Sequence, residues 1–272
     1  MNATPVATAV TAAGVTPAPG QGQAGLPGEV IMRARGLEMS FGQTHALRGV
    51  DLDVAAGEVL AVTGPSGSGK STLLHVMAGV LVPDAGRVDY HGADTTQDIA
   101  ALDEAARSRL RLKEFGFIFQ FGQLLPDLSA LDNVTIPLLL AGTPRRRALA
   151  QARETLGELG LSEHLDKRPT QLSGGQAQRA AVARALVTSP RILFADEPTG
   201  SLDSLAAERT MEVLLASVRS RGASLVIITH DARIAAYADR EVTVRDGRIG
   251  SGTTQAGSGP SEPRHAATGG RS

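Results

Sequence analysis

Residues 59–72 read VLAVTGPSGSGKST, and this stretch decides the fold. Val59–Thr63 is a continuous apolar run, as expected of a β-strand that is buried on both faces. Residues 64–72 then follow the phosphate-loop pattern, with two glycines separated by four residues before a lysine and a serine. Helical spacing continues up to Pro83 through the apolar residues Leu73, Leu74, Met77, Val80 and Leu81. A strand, a glycine loop and a helix in this order predict the opening of a βαβ unit.

The glycine loop has the chemistry of an anion site. Glycines let backbone amides converge on an anion at the start of a helix, where Lys70 adds a positive charge and Ser71 a hydroxyl group for Mg²⁺. The alternative is a glycine turn that caps a helix beside a surface lysine. Lysine is scarce in this chain, which makes a chance match improbable. We therefore predict that the phosphates of a nucleotide are bound by Gly64, Pro65, Ser66, Gly67, Ser68, Gly69, Lys70, Ser71 and Thr72.

Composition excludes several other classes of function. The 272 residues allow one or two domains, and the absence of cysteine removes disulfides, thiolate metal sites and cysteine nucleophiles. A formal charge of −1 provides no overall basic field for nucleic acid, so no nucleic-acid partner is expected. No apolar run approaches the length of a membrane span.

The charged residues and the apolar periodicity define one folded unit, residues 29–249. Residues 1–28 and 250–272 are rich in small residues and proline, and we predict that both are disordered extensions. Within the unit, Val50, Leu52 and Val54 alternate as in a strand with one wet face. Strands and helices alternate thereafter, with strands predicted over 192–195, 225–228, 242–244 and 248–249, and helices over 145–159, 176–187 and up to about 221. This order predicts an α/β fold with a mostly parallel sheet.

Two further motifs carry chemistry. Residues 191–197, RILFADE, are an apolar strand that ends in two carboxylates; Asp196 is placed to support Mg²⁺ and Glu197 to orient or deprotonate an attacking water. A strand that ends in an acidic helix cap is the plainer interpretation. Residues 172–176, LSGGQ, lead into a helix and offer a second helix N-terminus to an anion. Taken alone, this LSGGQ segment is more often a flexible helix cap.

Five motifs together resemble the ATP-binding subunit of ABC transporters. They are GPSGSGKST, FIFQ ending at Gln120, LSGGQAQR at 172–179, FADEPTGSLD at 194–203 and ITHD at 228–231. The resemblance extends from about residue 29 to residue 249. The segments DEPTGSLD and FQFGQLLPDLSALDNV are similar to those of the subfamily of lipoprotein-releasing, macrolide-exporting and FtsE-type cell-division ATPases. The resemblance to ABC transporters implies a RecA-like phosphate-loop core, a small antiparallel β subdomain and an inserted helical subdomain over about residues 121–185.

The resemblance also implies roles around ATP and Mg²⁺ within one copy. Phe41, expected in a loop, would stack on adenine, although a core aromatic is the alternative. Gln120 would contact Mg²⁺ or the attacking water. His230 would donate a hydrogen bond to the γ-phosphate, unless it is a structural histidine. Together with Lys70 and Glu197, Gln120 and His230 form the predicted catalytic set, and Ser71, Gln120 and Asp196 form the predicted metal set.

Other implied roles act between two copies of the chain. The γ-phosphate of an ATP held by the other copy would be capped by Ser173 and Gly175, and the nucleotide-binding residues of this segment are Ser173, Gly174, Gly175 and Gln176. Asp203 would couple the two sites. The resemblance therefore implies a homodimer on ATP binding.

The implied function is to hydrolyse ATP and power a separate integral membrane permease, FtsX-like or MacB-like, at the cytoplasmic face of the membrane. Its docking surface is expected within residues 121–168, with Phe121, Leu124, Leu125 and Pro126 in a groove or in the core. One alternative is an ATPase that regulates a cell-envelope or cell-division enzyme without moving a solute. Another is a soluble ATPase of DNA repair or translation, which the lack of coiled-coil or zinc insertions and of a tandem cassette disfavours.

Overall fold

The computed structural model describes residues 28–92, 95–120 and 124–250, and the backbone of Thr254 and Gln255. The predicted extensions over residues 1–28 and 250–272 lie almost entirely outside this range. Among the described residues, no helix has both the length and the apolar character needed to span a bilayer.

The main sheet is mostly parallel, as the sequence predicts. Its strands lie in the order β10-β9-β3-β8-β7-β6, with β11 also paired to β9. The neighbours from β9 to β6 are parallel, and β10 and β11 are antiparallel to β9. The strand bounds are β3 Val59–Thr63, β6 Phe115–Phe119, β7 Ile192–Asp196, β8 Ser224–Ile228, β9 Arg240–Arg245, β10 Arg248–Ile249 and β11 Thr254–Gln255.

A second, antiparallel sheet packs over one face of the main sheet. It has the order β2-β1-β4-β5, with bounds β1 Val30–Phe41, β2 Thr44–Ala55, β4 Ala85–His91 and β5 Thr96–Asp98. The alternation at Val50, Leu52 and Val54 is confirmed, since these side chains are buried. The predicted antiparallel subdomain is this sheet.

The helices are distributed over both faces. Helix α1, Lys70–Met77, lies between the two sheets, and α2, Glu104–Glu114, precedes β6. The other face of the main sheet carries α3 Ala130–Leu140, α4 Arg145–Glu158, α5 Gly174–Leu186 and α6 Ser204–Ser220, whereas α7, Ala232–Ala235, follows β8. Within the described part of the chain there are also three 3₁₀ turns, at Ile99–Ala101, Ser162–His164 and Pro169–Gln171.

The continuous apolar run of β3 is explained by two separate cores. Val59 and Ala61 belong to the core beneath the helices α3–α6, and Leu60 and Val62 belong to the core shared with the antiparallel sheet and α1. A strand with both faces buried needs no polar positions. Because β3 is buried on both faces up to its end at Thr63, the glycine loop begins at a fixed place, residue 64.

The predicted extent of the first helix is wrong. Helix α1 ends at Met77, and Gly79 follows with a left-handed φ of 67°. Glycine adopts this conformation at little cost and therefore ends the helix before Val80 and Leu81. In contrast, the predicted strands over 242–244 and 248–249 are confirmed as β9 and β10, and the turn between them is tight because Asp246 and Gly247 both have positive φ.

Candidate functional site

Sheet order brings the four predicted catalytic residues to one edge. Strands β3, β8, β7 and β6 are parallel neighbours, so their carboxyl ends lie side by side. Lys70 comes shortly after β3, His230 after β8, Glu197 after β7 and Gln120 after β6. Ligand sites in parallel sheets lie at this edge.

The loop after β3 closes only because three of its residues are glycine. Gly64, Gly67 and Gly69 have φ of 135°, 74° and 103°, which residues with a Cβ rarely adopt. A Cβ on Gly64 would also overlap the carbonyl oxygen of Val244, and one on Gly69 would overlap that of Ala46. Any larger residue would therefore push the loop away from both sheets.

Lys70 lies across this loop. It is only 7% exposed, and its Nζ donates hydrogen bonds to the carbonyl oxygens of Gly64 at 2.9 Å and Pro65 at 2.8 Å. These carbonyls hold the ammonium group against the loop. An anion bound to the amides would meet this charge directly.

The loop lines an open cavity of about 300 Å³. The predicted residues Glu197 and His230 line it too, and so do Thr44 and Ala46 from β2, which the sequence analysis missed. Neither residue has a sequence signal, since they come from the other sheet and only the packing of the two sheets places them here. In the described residues, the cavity is lined by Thr44, Ala46, Gly64, Ser66, Gly67, Gly69, Lys70, Ser71, Thr72, Glu197 and His230. Ser68 instead lies beneath the loop, buried, and its Oγ has no hydrogen-bond partner among the described residues.

Glu197 is held in an unusual backbone conformation beside two polar side chains. Its φ is 46°, and its N–H donates to the carbonyl oxygen of Ile228. One carboxylate oxygen, Oε1, lies 3.1 Å from Nδ1 of His230. A Cβ on Gly200 would lie 2.9 Å from Nε2 of Gln120 and 3.3 Å from Oε2 of Glu197, so both side chains rest against this glycine. The structure thus brings Gln120, Glu197 and His230 together, and Glu197 and His230 also line the cavity, whereas Gln120 does not.

Directly after His230, the carboxylate of Asp231 forms an ion pair with Arg233. The Arg233 guanidinium donates to both carboxylate oxygens of Asp231 and holds the pKa of Asp231 below its ordinary value. Asp231 also caps α7 by accepting from the N–H of Arg233. At neutral pH the ionised carboxylate of Asp231 therefore keeps its hydrogen bonds to Arg233, which stabilise the conformation of the loop that carries His230.

The predicted metal residues offer oxygen donors only. Asp196 is the last residue of β7, where it pairs with Phe119 of β6 directly before Gln120, and Ser71 lies in the first turn of α1. A hydroxyl, a carboxylate and an amide oxygen suit Mg²⁺, which uses few protein ligands together with water and phosphate oxygens. No group of three or more acidic, histidine or cysteine side chains among the described residues forms a metal cage.

Phe41 is not in a loop. It is the last residue of β1, opposite Thr44 across the β1–β2 hairpin, and it is 51% exposed. The core alternative is therefore wrong, because a core aromatic would be buried. Its pairing partner Thr44 lines the cavity, so the hairpin places Phe41 opposite a residue of the cavity wall.

The LSGGQ segment forms a second cavity of about 400 Å³. The side chain of Ser173 accepts from the N–H of Gln176, and Gln176 Oε1 accepts from the N–H of Ser173, which makes a reciprocal capping box at the start of α5. Gly174 and Gly175 let α5 approach Leu202 and Ala206 closely. Asp203 lines this second cavity and caps α6. Among the residues described, the two cavities have none in common.

A phosphate loop after one strand of a parallel sheet, together with a carboxylate pair at the end of the next strand but one in the same sheet, defines the class of phosphate-loop nucleotide hydrolases. Residues 47–200 match the model of one such family, described as ABC transporter. The chain belongs to this family, and it is an ATP-binding subunit that hydrolyses ATP.

Similar proteins agree with this assignment. "Lipoprotein-releasing system ATP-binding protein LolD 2" of Caulobacter vibrioides is 48% identical over 224 residues, which cover 80% of this chain and 96% of that protein. "Probable export ATP-binding/permease protein" of Pseudomonas fluorescens is 43% identical over 242 residues, 86% of this chain and 36% of that protein.

Solved structures share the fold. A dimeric bacterial ABC transporter cassette has a TM-score of 0.75 and 32% identity, and covers 84% of this chain and 99% of its own. A dimeric ATP-binding cassette in a post-hydrolysis state, bound to ADP and Pi, has a TM-score of 0.74 with the same identity and coverage. The predicted α/β architecture is confirmed.

Proposed function

We propose that two copies of the chain close head to tail around two ATP molecules, with each ATP held between the phosphate loop of one copy and the LSGGQ segment of the other. The observation that carries this proposal is that the phosphate-loop cavity and the LSGGQ cavity have no described residue in common. The first cavity has Lys70 and the carboxylate of Glu197 but lacks the second helix N-terminus. Two copies facing each other would complete both sites.

Within each site we assign the chemistry to the residues at the sheet edge. Lys70 and the loop amides would bind the β- and γ-phosphates, and Glu197 would orient the attacking water and accept its proton. His230, 3.1 Å from Glu197, would donate to the γ-phosphate, and Gln120 would hold the water or the metal. Phe41 would stack on the adenine ring.

Mg²⁺ is part of this proposal. Ser71, Asp196 and Gln120 would hold it, directly or through water, together with phosphate oxygens of ATP. When bound, the metal supplies positive charge that offsets the charge of the triphosphate.

A complementation experiment tests the shared site. Lys70→Ala removes the phosphate loop's cation, and Ser173→Arg places a bulky cation at the LSGGQ segment, so we expect each variant alone to be inactive. In a 1:1 mixture, half of the dimers combine both variants and contain one intact site, so about a quarter of the wild-type ATPase rate should return. The rates are measured by phosphate release on purified protein.

Ser220→Arg is the matched control, because Ser220 is exposed at the far end of α6 and a cation there is compatible with the helix dipole. This variant should retain wild-type activity. A mixture that remains as inactive as its components, or full activity of Ser173→Arg alone, would contradict the shared site.

We further propose a membrane partner. The relatives named LolD belong, by name, to a lipoprotein-releasing system, and the Pseudomonas relative is named as both ATP-binding protein and permease, of which this chain spans 36%. We infer that the remaining part corresponds to a separate permease, FtsX-like or MacB-like, which this chain would power in lipoprotein release or export. An ATPase of this kind would act peripherally, at the cytoplasmic face of the membrane.

An apolar groove of about 350 Å³ is our candidate for the docking site. Phe115, Phe117 and Phe119 of β6 line it, together with Val80 and Pro137, whereas the predicted Leu124, Leu125 and Pro126 do not. Leu124 packs against the core instead, and Phe121 lies outside the described residues. Because β6 leads directly into Gln120, an apolar permease helix in this groove would press on the strand that carries a catalytic residue.

Val80→Glu should abolish co-purification with the permease from membranes while leaving ATP binding unchanged. A carboxylate at this position loses its hydration when an apolar helix covers it, and pairing with Arg111, which also lines the groove, would offset only part of that cost, so binding should weaken about 10-fold or more. Val82→Glu is the matched control: both valines are 45% exposed in the same loop, but Val82 does not line the groove. Equal recovery of the permease with both variants would exclude this groove.

A further inference from the structure

A second histidine supports the LSGGQ segment from outside the cavity. His164 ends the 3₁₀ turn Ser162–His164, between α4 and α5, and Leu161, directly before the turn, is completely buried. The half-buried His164 ring places Nε2 at 2.9 Å from Nε2 of Gln176. No sequence motif singles out His164.

The capping box determines the direction of this hydrogen bond. The carbonyl oxygen of the Gln176 side chain accepts from the N–H of Ser173 at 2.9 Å, so the amide nitrogen faces His164. An amide NH₂ can only donate, and therefore Nε2 of His164 accepts with its lone pair. The ring must then be neutral, with its proton on Nδ1. That nitrogen is buried and has no hydrogen-bond partner among the described residues.

The hydrogen bond between His164 and Gln176 matters because one of the two hydrogen bonds of the capping box is weak. The hydrogen bond from the N–H of Gln176 to Oγ of Ser173 is long, at 3.3 Å. The two bonds of the box occupy the N–H groups of Ser173 and Gln176, and the first N–H groups of a helix have no intrahelical acceptor. Those of Gly174 and Gly175 are thus left for an anion. Without the hydrogen bond to His164, the Gln176 amide could turn away, the two hydrogen bonds of the capping box would break, and the Ser173 side chain could rotate.

We propose that His164 is a positioning residue of the LSGGQ segment: by accepting from Gln176, it keeps the helix N-terminus shaped for the γ-phosphate of the ATP held by the second copy. This role rests on the proposed shared site. His164 itself contacts neither ATP nor metal. Its effect is on turnover, because ATP binding is carried mainly by the phosphate loop of the other copy.

Two substitutions of His164 separate this role from simple packing. The side-chain oxygen of glutamine reaches the position of imidazole Nε2, whereas that of asparagine reaches only the position of Nδ1. His164→Gln should therefore keep kcat within about twofold, and His164→Asn should lower kcat about 3- to 10-fold, the effect of one lost hydrogen bond. The KM for ATP should stay unchanged in both. Equal kcat values for the two variants would overturn the proposal.

Nitrogen NMR of the wild-type protein provides a test that does not depend on folding of the variants. The resonances of the His164 ring should report a neutral imidazole with its proton on Nδ1, and a proton on Nε2 would overturn the proposal. The shared site fails separately. If Ser173→Arg alone is fully active, the proposed function falls; if it is inactive while the Gln and Asn variants match, only the role of His164 falls.

Discussion

Replacing Glu197 by glutamine should stop ATP turnover while ATP still binds. Glutamine keeps the size of the side chain and its place against Gly200, but it cannot accept a proton from water. Removing a general base costs about 10²- to 10⁴-fold in rate. Since the nucleotide is then not cleaved, we also expect a closed dimer to accumulate with ATP, visible as a doubled mass by size-exclusion chromatography with light scattering.

Glu208→Gln is the control for this experiment, because Glu208 is exposed on α6 and lines neither cavity. It should hydrolyse ATP at the wild-type rate and show no trapped dimer. A Glu197→Gln variant with a normal rate would remove Glu197 from its role as the base and leave His230, its neighbour at 3.1 Å, as the group to examine.

Lys70→Ala should weaken ATP binding about 10- to 100-fold, as expected for the loss of a charge-assisted hydrogen bond to a phosphate. The buried ammonium group is held by the carbonyls of Gly64 and Pro65 at the cavity, and alanine leaves those carbonyls and the loop amides without a cation. Isothermal titration calorimetry with ATP in the presence of Mg²⁺ measures the change.

The matched control for Lys70→Ala removes a different lysine that lies outside the phosphate loop. Lys113, one of only two other lysines, is exposed on α2, and Lys113→Ala should bind ATP as the wild type does. Thermal unfolding of both variants checks that the loop has not collapsed. Unchanged ATP affinity in Lys70→Ala would contradict the assignment of residues 64–72 as the phosphate site.

Several features of the site could be predicted because they depend on residue type at short spacing. The glycines at residues 64, 67 and 69 have positive φ, as the glycine-rich spacing of the phosphate-loop pattern already predicts. The apolar run of β3 likewise predicts burial on both faces. The end of α1 was misplaced because the apolar spacing continues past Gly79, whose left-handed conformation ends the helix.

Other features depend on contacts between distant segments. Thr44 and Ala46 reach the phosphate loop only because the antiparallel sheet packs over α1, and the exposure of Phe41 follows from a hairpin that spacing alone did not reveal. The contact between His164 and Gln176 joins a turn to a helix start 12 residues later. None of these contacts has a periodic or compositional signal.

The sequence by itself determined the phosphate loop, the paired carboxylates, the alternation of strands and helices and the ABC resemblance, because each depends on residue types within a few positions of one another. Only the tertiary structure decided that Gln120, Glu197 and His230 meet at one edge and that the LSGGQ segment lies in a separate cavity. Strand order and sheet packing set these distances, and they arise from the burial of two cores that together draw on residues throughout the folded unit.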